Sequence, residues 1–305
     1  MKKLSLKITK DMENLTVGTV LRSRMDISRT VVVRAKKSDT GIVLNGERVF
    51  TTHKVKEGDI LQIELHEKEN SASFEAIYHP LDILFEDEDL LIINKEAFMS
   101  VYAAKEGQEE CTLVNAVTYY LGENSSMHLV SRLDRGTSGI IVLTKSGYAH
   151  DILRKQLHTG DFEREYLAVI VGKPSENSGE IELPIARGNG IKRIISEEGV
   201  YAKTLYNVIS SNDKYSLVHL IPKTGRTHQL RVHMSAIGYP LAGDWLYGEE
   251  IDEISRFALH SAVLRMKHPL KNENIEIYCP MPEDMRKLIG CDLDENYFLQ
   301  NRKQA

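Results

Sequence analysis

Apolar residues in the first 65 positions change from helical spacing to strand-like spacing, and this pattern predicts a small α+β unit. The stretch LTVGTVLRSRM (15–25) has apolar and basic residues at helical spacing, and Ser28 is a suitable N-cap for a second helix. Asn45-Gly46 is a strong signal for a hairpin turn, and VKEGDILQIEL (55–65) adds a glycine turn and a further strand. The predicted order is therefore two helices followed by a small antiparallel sheet.

Later parts of the chain are predicted to contain more strands than helices. Helical patterns occupy 112–123 and 147–161, and a third begins as a turn at 224 and ends at 238. Strand patterns lie within 83–94, where two strands flank an acidic turn, and at 139–145, 165–174, 202–210, 215–222 and 275–280. Strands and helices do not alternate regularly. The pattern therefore favours an α+β fold with a central mixed, largely antiparallel sheet over a doubly wound α/β fold.

A polar stretch without periodicity separates these two parts. Residues 66–79, HEKENSASFEAIYH, are typical of a linker. We therefore predict an N-terminal domain over 1–65, a larger domain over 80–290 and a C-terminal tail over 291–305.

The composition is that of an ordinary globular protein and limits the sites that it can hold. Hydrophobic residues make up 42% and charged residues 27%, and no apolar run approaches the roughly 18 residues of a membrane span. The first residues lack the apolar region of a signal peptide. Cys111, Cys279 and Cys291 are scattered and form no CxxC pair, so we expect neither a structural zinc nor a disulfide framework. We expect a reduced, cytoplasmic protein, with a monomer as the default.

Charge is distributed unevenly along the chain. Residues 1–65 contain 13 Lys and Arg against 8 Asp and Glu, a net charge of +5, whereas the remainder contains 26 against 36, a net charge of −10. A solvated helix face is the simple interpretation of the basic residues, but their local excess favours a surface that binds nucleic-acid phosphates. The candidate contacts lie in or near the two predicted helices: Arg22, Arg24, Arg29, Arg34, Lys36 and Lys37.

The stretch HLVSRLDRGTSGIIVLTK (128–145) holds the first candidate for catalysis. Asp134 stands between Arg132 and Arg135, which favour its ionised form and so suit it to be a nucleophile or an electrostatic partner. A plain surface ion pair is the alternative. The Gly-Thr-Ser-Gly run that follows matches neither the G-x-S-x-G nucleophile elbow nor a phosphate loop. We interpret it as a tight turn that presents Asp134.

A second cluster, TGRTHQLRVH, supplies cations rather than a metal site. His228 and His233 have the spacing His-x4-His, and no HExxH occurs, so no metal is predicted. Arg226 and Arg231 suit an anion, either a carboxylate or a phosphate, although exposed arginines on an amphipathic helix are the alternative. By its strand pattern alone, Tyr166 is a core tyrosine.

Four motifs together resemble those of RNA pseudouridine synthases of the RluA/RluD family, in their order and spacing: SRLDRGTSG (131–139), EYLAV (165–169), GRTHQLRVH (225–233) and ALHS (258–261). The resemblance runs from about residue 80 to residue 290, and the segment before it is similar to an S4-type RNA-binding domain. It implies the pseudouridine synthase fold and the isomerisation of uridine to pseudouridine in structured RNA. The reaction needs no redox or energy input, so no cofactor is expected.

The same resemblance implies a role for four residues. Asp134 is similar to the catalytic aspartate of the family, and Arg231 to its basic partner. Tyr166 is similar to the tyrosine that packs on the target uracil and takes part in removing the C5 proton. Arg132 is similar to an arginine that rearranges RNA around the flipped base.

The sequence departs from the family pattern in two places. Ser131 stands where the family usually has histidine before R-L-D. The segment NKEAFMSV has Glu96 and Phe98 where the family motif N-K-P-x-G has proline and glycine. Neither change affects the aspartate, but both concern the side of the site that faces RNA.

The expected substrate is RNA, with 23S ribosomal RNA first because of the S4-like segment and transfer RNA second. A non-catalytic RNA-binding factor in ribosome assembly is an alternative. A glycosidase with paired carboxylates would need a second acid near Asp134, and the motifs offer none.

Overall fold

The computed structural model describes residues 2–65, 74–103, 110–123 and 125–300. The chain forms two compact units. The first comprises 1–73, 124–130 and 143–155, and the second comprises 74–123, 131–142 and 156–305. The domain boundaries at 65, 79 and 290 remain predictions, and residues 66–73 of the predicted linker lie outside the described residues.

The N-terminal part of the first unit contains two short helices and a four-stranded sheet. Its elements are β1 (Lys2–Lys7), a 3-10 turn (Lys10–Met12), α1 (Val17–Ser23), α2 (Arg29–Ala35), β2 (Ile42–Leu44), β3 (Glu47–Arg48) and β4 (Ile60–Leu65). The hydroxyl of Ser28 accepts a hydrogen bond from the Val31 N–H, as expected of an N-cap. Asn45 and Gly46 both have positive φ, which matches the predicted hairpin turn. The sequence pattern missed β1, which pairs antiparallel with β4 in the order β1-β4-β2-β3.

The remaining elements follow in chain order: β5 (Asp82–Glu86), β6 (Leu90–Lys95), α3 (Leu113–Leu121), β7 (His128–Leu129), β8 (Ser138–Thr144), α4 (Gly147–Thr159), β9 (Phe162–Val171), β10 (Ser178–Glu182), β11 (Ile185–Arg187), β12 (Arg193–Ile195), β13 (Lys203–Ser211), β14 (Tyr215–Pro222), α5 (Gln229–Ala236), β15 (Leu259–Lys267), β16 (Asn274–Tyr278), α6 (Glu283–Ile289) and α7 (Glu295–Gln300).

One large sheet organises the second unit. Its strand order is β10-β13-β14-β9-β15-β8-β6-β5, with β16 also paired to β15. The pairing of β8 with β15 is parallel. The pairings of β13 with β14, of β14 with β9 and of β9 with β15 are antiparallel. The prediction of an α+β fold with a mixed, largely antiparallel sheet is therefore confirmed.

Helices α6 and α7 cover one face of this sheet. Buried apolar side chains of β9, β14 and β15 pack there against residues of both helices, including Met285 and Phe298. Residues 295–300 of the predicted tail are thus part of the packed body, and 301–305 lie outside the described residues. Among the described helices, none is both long enough and apolar enough to cross a membrane.

Candidate active site

Asp134 lies in the turn that leads into β8, and small residues bring this turn close to its neighbours. The Thr137 N–H donates to the Asp134 carbonyl over 3.0 Å, which closes the turn. A Cβ at Gly136 would lie 2.7 Å from the Phe257 ring, and a Cβ at Gly139 would lie 2.2 Å from the Ser261 carbonyl oxygen. Gly139 also has φ +103, a conformation that other residues rarely adopt. The Gly-Thr-Ser-Gly run therefore allows a close approach that fixes the turn carrying Asp134.

Arg231 places a buried positive charge beside Asp134. A guanidinium nitrogen of Arg231 lies 3.7 Å from the Asp134 carboxylate, and the Arg231 side chain is only 4% exposed. The stronger partner of Arg231 is Asp244, which receives two parallel hydrogen bonds of 2.7 Å from Nε and Nη2. Because Asp244 is fully buried and bound on both oxygens, it fixes the direction in which the guanidinium points. Sequence reasoning did not identify Asp244, since no local pattern marks it.

Two aromatic rings lie against the Arg231 guanidinium. Its central carbon lies 4.0 Å from the Phe257 ring centroid and 5.0 Å from the Tyr247 ring centroid. Cation–ring contacts of this kind suit a delocalised guanidinium that is poorly hydrated. Since Gly136 leaves room for Phe257, the turn that carries Asp134 also shapes the site of its partner.

His228 is a further neighbour of Asp134 that sequence reasoning considered only as a metal ligand. Its Nε2 lies 3.8 Å from the Asp134 carboxylate, and its Nδ1 lies 2.8 Å from the Tyr247 hydroxyl. That hydroxyl accepts a hydrogen bond from the Arg193 N–H, so its own proton is available to Nδ1 of His228. Burial lowers the pKa of His228, with Asp134 opposing the shift. The network thus favours a neutral imidazole whose proton on Nε2 faces the Asp134 carboxylate.

A buried lysine holds the loop after β6 against the Asp134 turn. Nζ of Lys95 donates to the carbonyls of Glu96, Met99 and Arg135 over 2.7, 3.0 and 3.3 Å. Burial, with the charge of Arg256, lowers the pKa of Lys95 to about 8, even though Asp134 opposes that shift. Three carbonyl acceptors satisfy all three protons of an ammonium group. Lys95 is therefore a structural cation of the site.

Arg135 also fixes this loop to the Asp134 turn. Its Nε donates to the Phe98 carbonyl over 2.9 Å, and its own carbonyl accepts from the Phe98 N–H over 2.8 Å. Its Nη2 pairs with Glu110 at 2.9 Å. The residue after Asp134 is consequently fixed on both its main chain and its side chain.

Tyr166 lies on β9, and the strand register places it relative to the Asp134 turn. Tyr166 pairs with Ser261 of β15, and Ser261 pairs with Gly139 at the start of β8. Adjacent strands are about 4.8 Å apart, so Tyr166 lies about 10 Å across the sheet from Gly139. The Tyr166 side chain is 6% exposed, as a core tyrosine would be. No ring contact or hydrogen bond joins Tyr166 to Asp134 within the described ranges.

The ALHS motif fastens β15 to β8. Nδ1 of His260 lies 2.9 Å from the Ser138 hydroxyl, and its Nε2 lies 3.2 Å from the Cys279 carbonyl. Burial lowers the pKa of His260 to about 4, so this histidine is neutral. The motif thus stabilises the pairing of β15 with β8, the strand that follows the Asp134 turn.

The residues predicted to bind RNA are accessible. Among the described residues, no hydrogen bond or ion pair joins them into one cluster. Arg132 is exposed and forms no ion pair within the described ranges. Arg226 is exposed, and its Nε donates to the Tyr201 carbonyl over 3.0 Å. Of the six basic residues predicted to bind RNA in the first unit, all are exposed except the partly buried Arg34. Of these, Arg24 pairs with Asp11 at 3.1 Å.

One group of side chains has the geometry of a metal site. Asp87, Asp89 and His268 bring one ligand atom each within 4.8 Å of one another. Asp87 already pairs with His268 at 2.8 Å and with Lys271 at 2.7 Å. Burial alone would raise the pKa of Asp87, but its hydrogen bonds from Lys271 and His268 lower it below its usual range. Lys271 compensates the charge of Asp87, and Nδ1 of His268 accepts from the N–H groups of Leu270 and Lys271, so the group is explained as an ion-pair and hydrogen-bond network.

Comparison with known proteins places these features in a family. Residues 89–236 match the family described as RNA pseudouridylate synthase. The chain is 39% identical over 269 residues to the uncharacterized RNA pseudouridine synthase YjbO of Bacillus subtilis, which covers 87% of this chain and 95% of that protein. It is 33% identical to the ribosomal large subunit pseudouridine synthase D of Vibrio cholerae, over 80% of this chain and 81% of that protein.

A solved structure agrees with these matches. Human RNA pseudouridylate synthase domain containing 1 superposes with a TM-score of 0.60 at 26% identity, covering 74% of this chain and 96% of that one. The family match over residues 89–236 includes Asp134, Tyr166 and Arg231.

Proposed function

Since the chain belongs to the RNA pseudouridylate synthase family, we propose that it modifies a uridine of 23S ribosomal RNA and that Asp134 acts on this uridine. Members of this family are isomerases that convert uridine to pseudouridine in RNA, and the chain is such an enzyme. The finer proposal concerns which residues act and which RNA is the target.

The observation that carries the catalytic proposal is the geometry around Asp134. A partly exposed carboxylate, 33% accessible, faces a buried Arg231 whose direction is fixed by a fully buried acid. A fixed cation 3.7 Å from the carboxylate attracts its oxygens, which suits nucleophilic or electrostatic catalysis. The arrangement is compatible with attack at C1′, with attack at C6 and with stabilisation of a glycal.

The isomerisation breaks the N1–C1′ bond of uridine, turns the base and joins C5 to C1′. The base must leave its stack to reach Asp134, which costs a few kcal/mol and least in an unpaired loop. We assign Tyr166 to contact with the target uracil and to removal of the C5 proton, and Arg132 to the displaced RNA. The exposure of Arg132 and its lack of an ion pair within the described ranges support this assignment.

A glycosidase is disfavoured by the state of the second acid near the site. Asp244 is bound on both oxygens by Arg231 and has no exposed surface. Such a carboxylate cannot give a proton to a leaving group or activate a water molecule.

The choice of 23S ribosomal RNA rests on two observations. Relatives such as the Vibrio cholerae protein are named ribosomal large subunit pseudouridine synthases, and the first unit presents exposed basic residues on its helices. Transfer RNA is the second candidate. A non-catalytic assembly factor is the third, and the fixed Asp134–Arg231–Asp244 arrangement argues against it.

A pseudouridine map of total RNA from cells with and without the gene tests the target. We expect one or a few sites in 23S ribosomal RNA to be lost on deletion and to return with the wild-type gene. They should not return with Asp134→Asn. Loss of sites in transfer RNA alone would overturn the choice of ribosomal RNA.

A further inference from the structure

Phe98 adopts a backbone conformation that its side chain does not favour. Its φ is +67, in the left-handed region where glycine is usual and a bulky residue is strained. Both main-chain groups of Phe98 bond to Arg135, the N–H over 2.8 Å and the carbonyl over 2.9 Å. On the Phe98 side, both bonds use only main-chain atoms. A glycine at this position would therefore make them equally well and without strain.

About half of Phe98 is exposed (48%), and its ring has no aromatic or cationic contact among the described residues. A strained backbone with an exposed aromatic side chain indicates a role outside folding, because such strain concentrates at functional sites.

The position of Phe98 indicates what its ring would meet. Its two main-chain hydrogen bonds are to the residue directly after Asp134, so the ring lies at the rim of the active site. The exposed Arg132, which has no ion pair among the described residues, belongs to the same rim, and so does the Arg135 guanidinium, which pairs with Glu110. Tyr102, 42% exposed, is a second aromatic residue of the same loop, and it interacts electrostatically with Arg132.

We propose that Phe98 stacks on an unpaired nucleobase next to the target uridine and so helps to select the RNA loop. This inference rests on the proposed function. Aromatic rings beside cations are the usual platform for unpaired bases, because every base has a flat face and the cations attract the backbone. Phe98 contacts the substrate in binding and takes no part in the bond changes.

Phe98→Gly gives a clean test, because it removes the ring and relieves the backbone at once. A structural role predicts a lower midpoint of thermal unfolding for this variant, whereas the stacking role predicts an unchanged or higher one. Phe98→Trp and Phe98→Leu are the matched controls. The first keeps an aromatic face, and the second keeps an apolar side chain of similar size without one.

The kinetic readout is tritium release from an unmodified 23S ribosomal RNA transcript that carries 5-tritiated uridine. We expect Phe98→Gly and Phe98→Leu to raise KM by about 10-fold, or about 1.4 kcal/mol, with a much smaller change in kcat. Phe98→Trp should stay close to the wild type. Equal KM values for the wild type and Phe98→Gly would overturn the stacking.

A binding measurement separates this inference from the proposed function. The same transcript is bound to Asp134→Asn protein with and without Phe98→Gly, so that turnover does not interfere. An inactive wild type would refute the choice of target, whereas weaker binding of the Phe98→Gly protein would still support the stacking. Equal affinities would overturn it.

Discussion

The cation beside Asp134 is positioned by Asp244, a residue that does not itself contact Asp134. Arg231 contacts Asp134 at 3.7 Å but binds Asp244 with two bonds of 2.7 Å, so the guanidinium is positioned before any substrate arrives. The rings of Phe257 and Tyr247 also contact the same group. A preorganised cation of this kind does not need to rearrange during the reaction.

We therefore expect Asp244→Asn to lower both stability and activity. Removing one partner of a buried ion pair should reduce the free energy of unfolding by about 3 kcal/mol. The loosened Arg231 should reduce kcat by about 100-fold, since small misplacements are costly in catalysis. Urea unfolding and tritium release measure the two effects. Asp252→Asn, an exposed acid nearby in sequence, is the control and should change neither. Wild-type kcat in Asp244→Asn would contradict the positioning role.

Lys95 predicts a pH dependence of stability. Its pKa is about 8 in the folded protein and 10.5 as the ordinary value, so between these values the unfolded chain holds the extra proton. The free energy of unfolding contributed by Lys95 should therefore rise with pH in this window, by up to about 1.4 kcal/mol per unit. Unfolding of the wild type and Lys95→Met from pH 7 to 11 measures the difference. Parallel pH profiles would contradict the lowered pKa.

At the level of elements, the parallel contact between β8 and β15 joins the Asp134 turn to the rest of the sheet. Among the described pairings of β15, this one is parallel and those with β9 and β16 are antiparallel. Because Gly139 has no side chain, the backbone of β8 can approach Ser261 of β15 closely. The Ser138–His260 hydrogen bond strengthens the same crossing point.

Gly139→Ala should disrupt this contact more than backbone strain alone can explain. Gly160 is the matched control, because it has φ +83 but nothing within 4 Å of an added Cβ. We expect Gly160→Ala to cost about 1 kcal/mol and Gly139→Ala about 2 to 4 kcal/mol, from strain plus overpacking. Urea unfolding of both variants gives the values. Equal losses would mean that the close approach is unimportant.

Many elements of the fold could be predicted from sequence because local signals mark them. The Ser28 cap, the Asn45-Gly46 turn and the strand at β8 each depend on neighbours in sequence. Strand β15 was not predicted, although it pairs with three other strands. It is buried over most of its length, so it lacks the alternation that identifies a strand with one exposed face.

Asp244 and Phe98 could not be predicted for a different reason. The role of Asp244 depends on a partner 13 residues away on a helix, and no spacing rule links the two. Phe98 was noted as a departure from a motif, but only the backbone angle shows that it occupies a conformation suited to glycine. Such roles depend on tertiary contacts, which a sequence pattern does not contain.

Across the whole molecule, the chain is acidic overall yet acts on a polyanion. Its net charge is −5, so RNA binding must depend on local groups of unpaired cations. In the first unit Arg29, Lys36 and Lys37 are exposed and form no ion pair in the part of the chain that the structure describes.

Replacing these three cations by glutamine should weaken RNA binding and reduce its salt dependence. If each neutralises one phosphate, the slope of log K against log salt should become less steep by about 2. The control is the triple replacement of Lys214, Arg286 and Lys287, each of which already pairs with an acid. Filter binding to 23S ribosomal RNA across salt concentrations gives both slopes. Unchanged slopes in the first variant would show that these residues do not contact RNA.

The most direct test of the account is tritium release by Asp134→Asn from RNA that carries 5-tritiated uridine. Asp134 is partly exposed and its main chain makes the turn, so the variant should fold with an unchanged unfolding midpoint and bind RNA as before. We predict no tritium release above background from this folded, RNA-bound protein. Release at the wild-type rate would contradict the central role of Asp134.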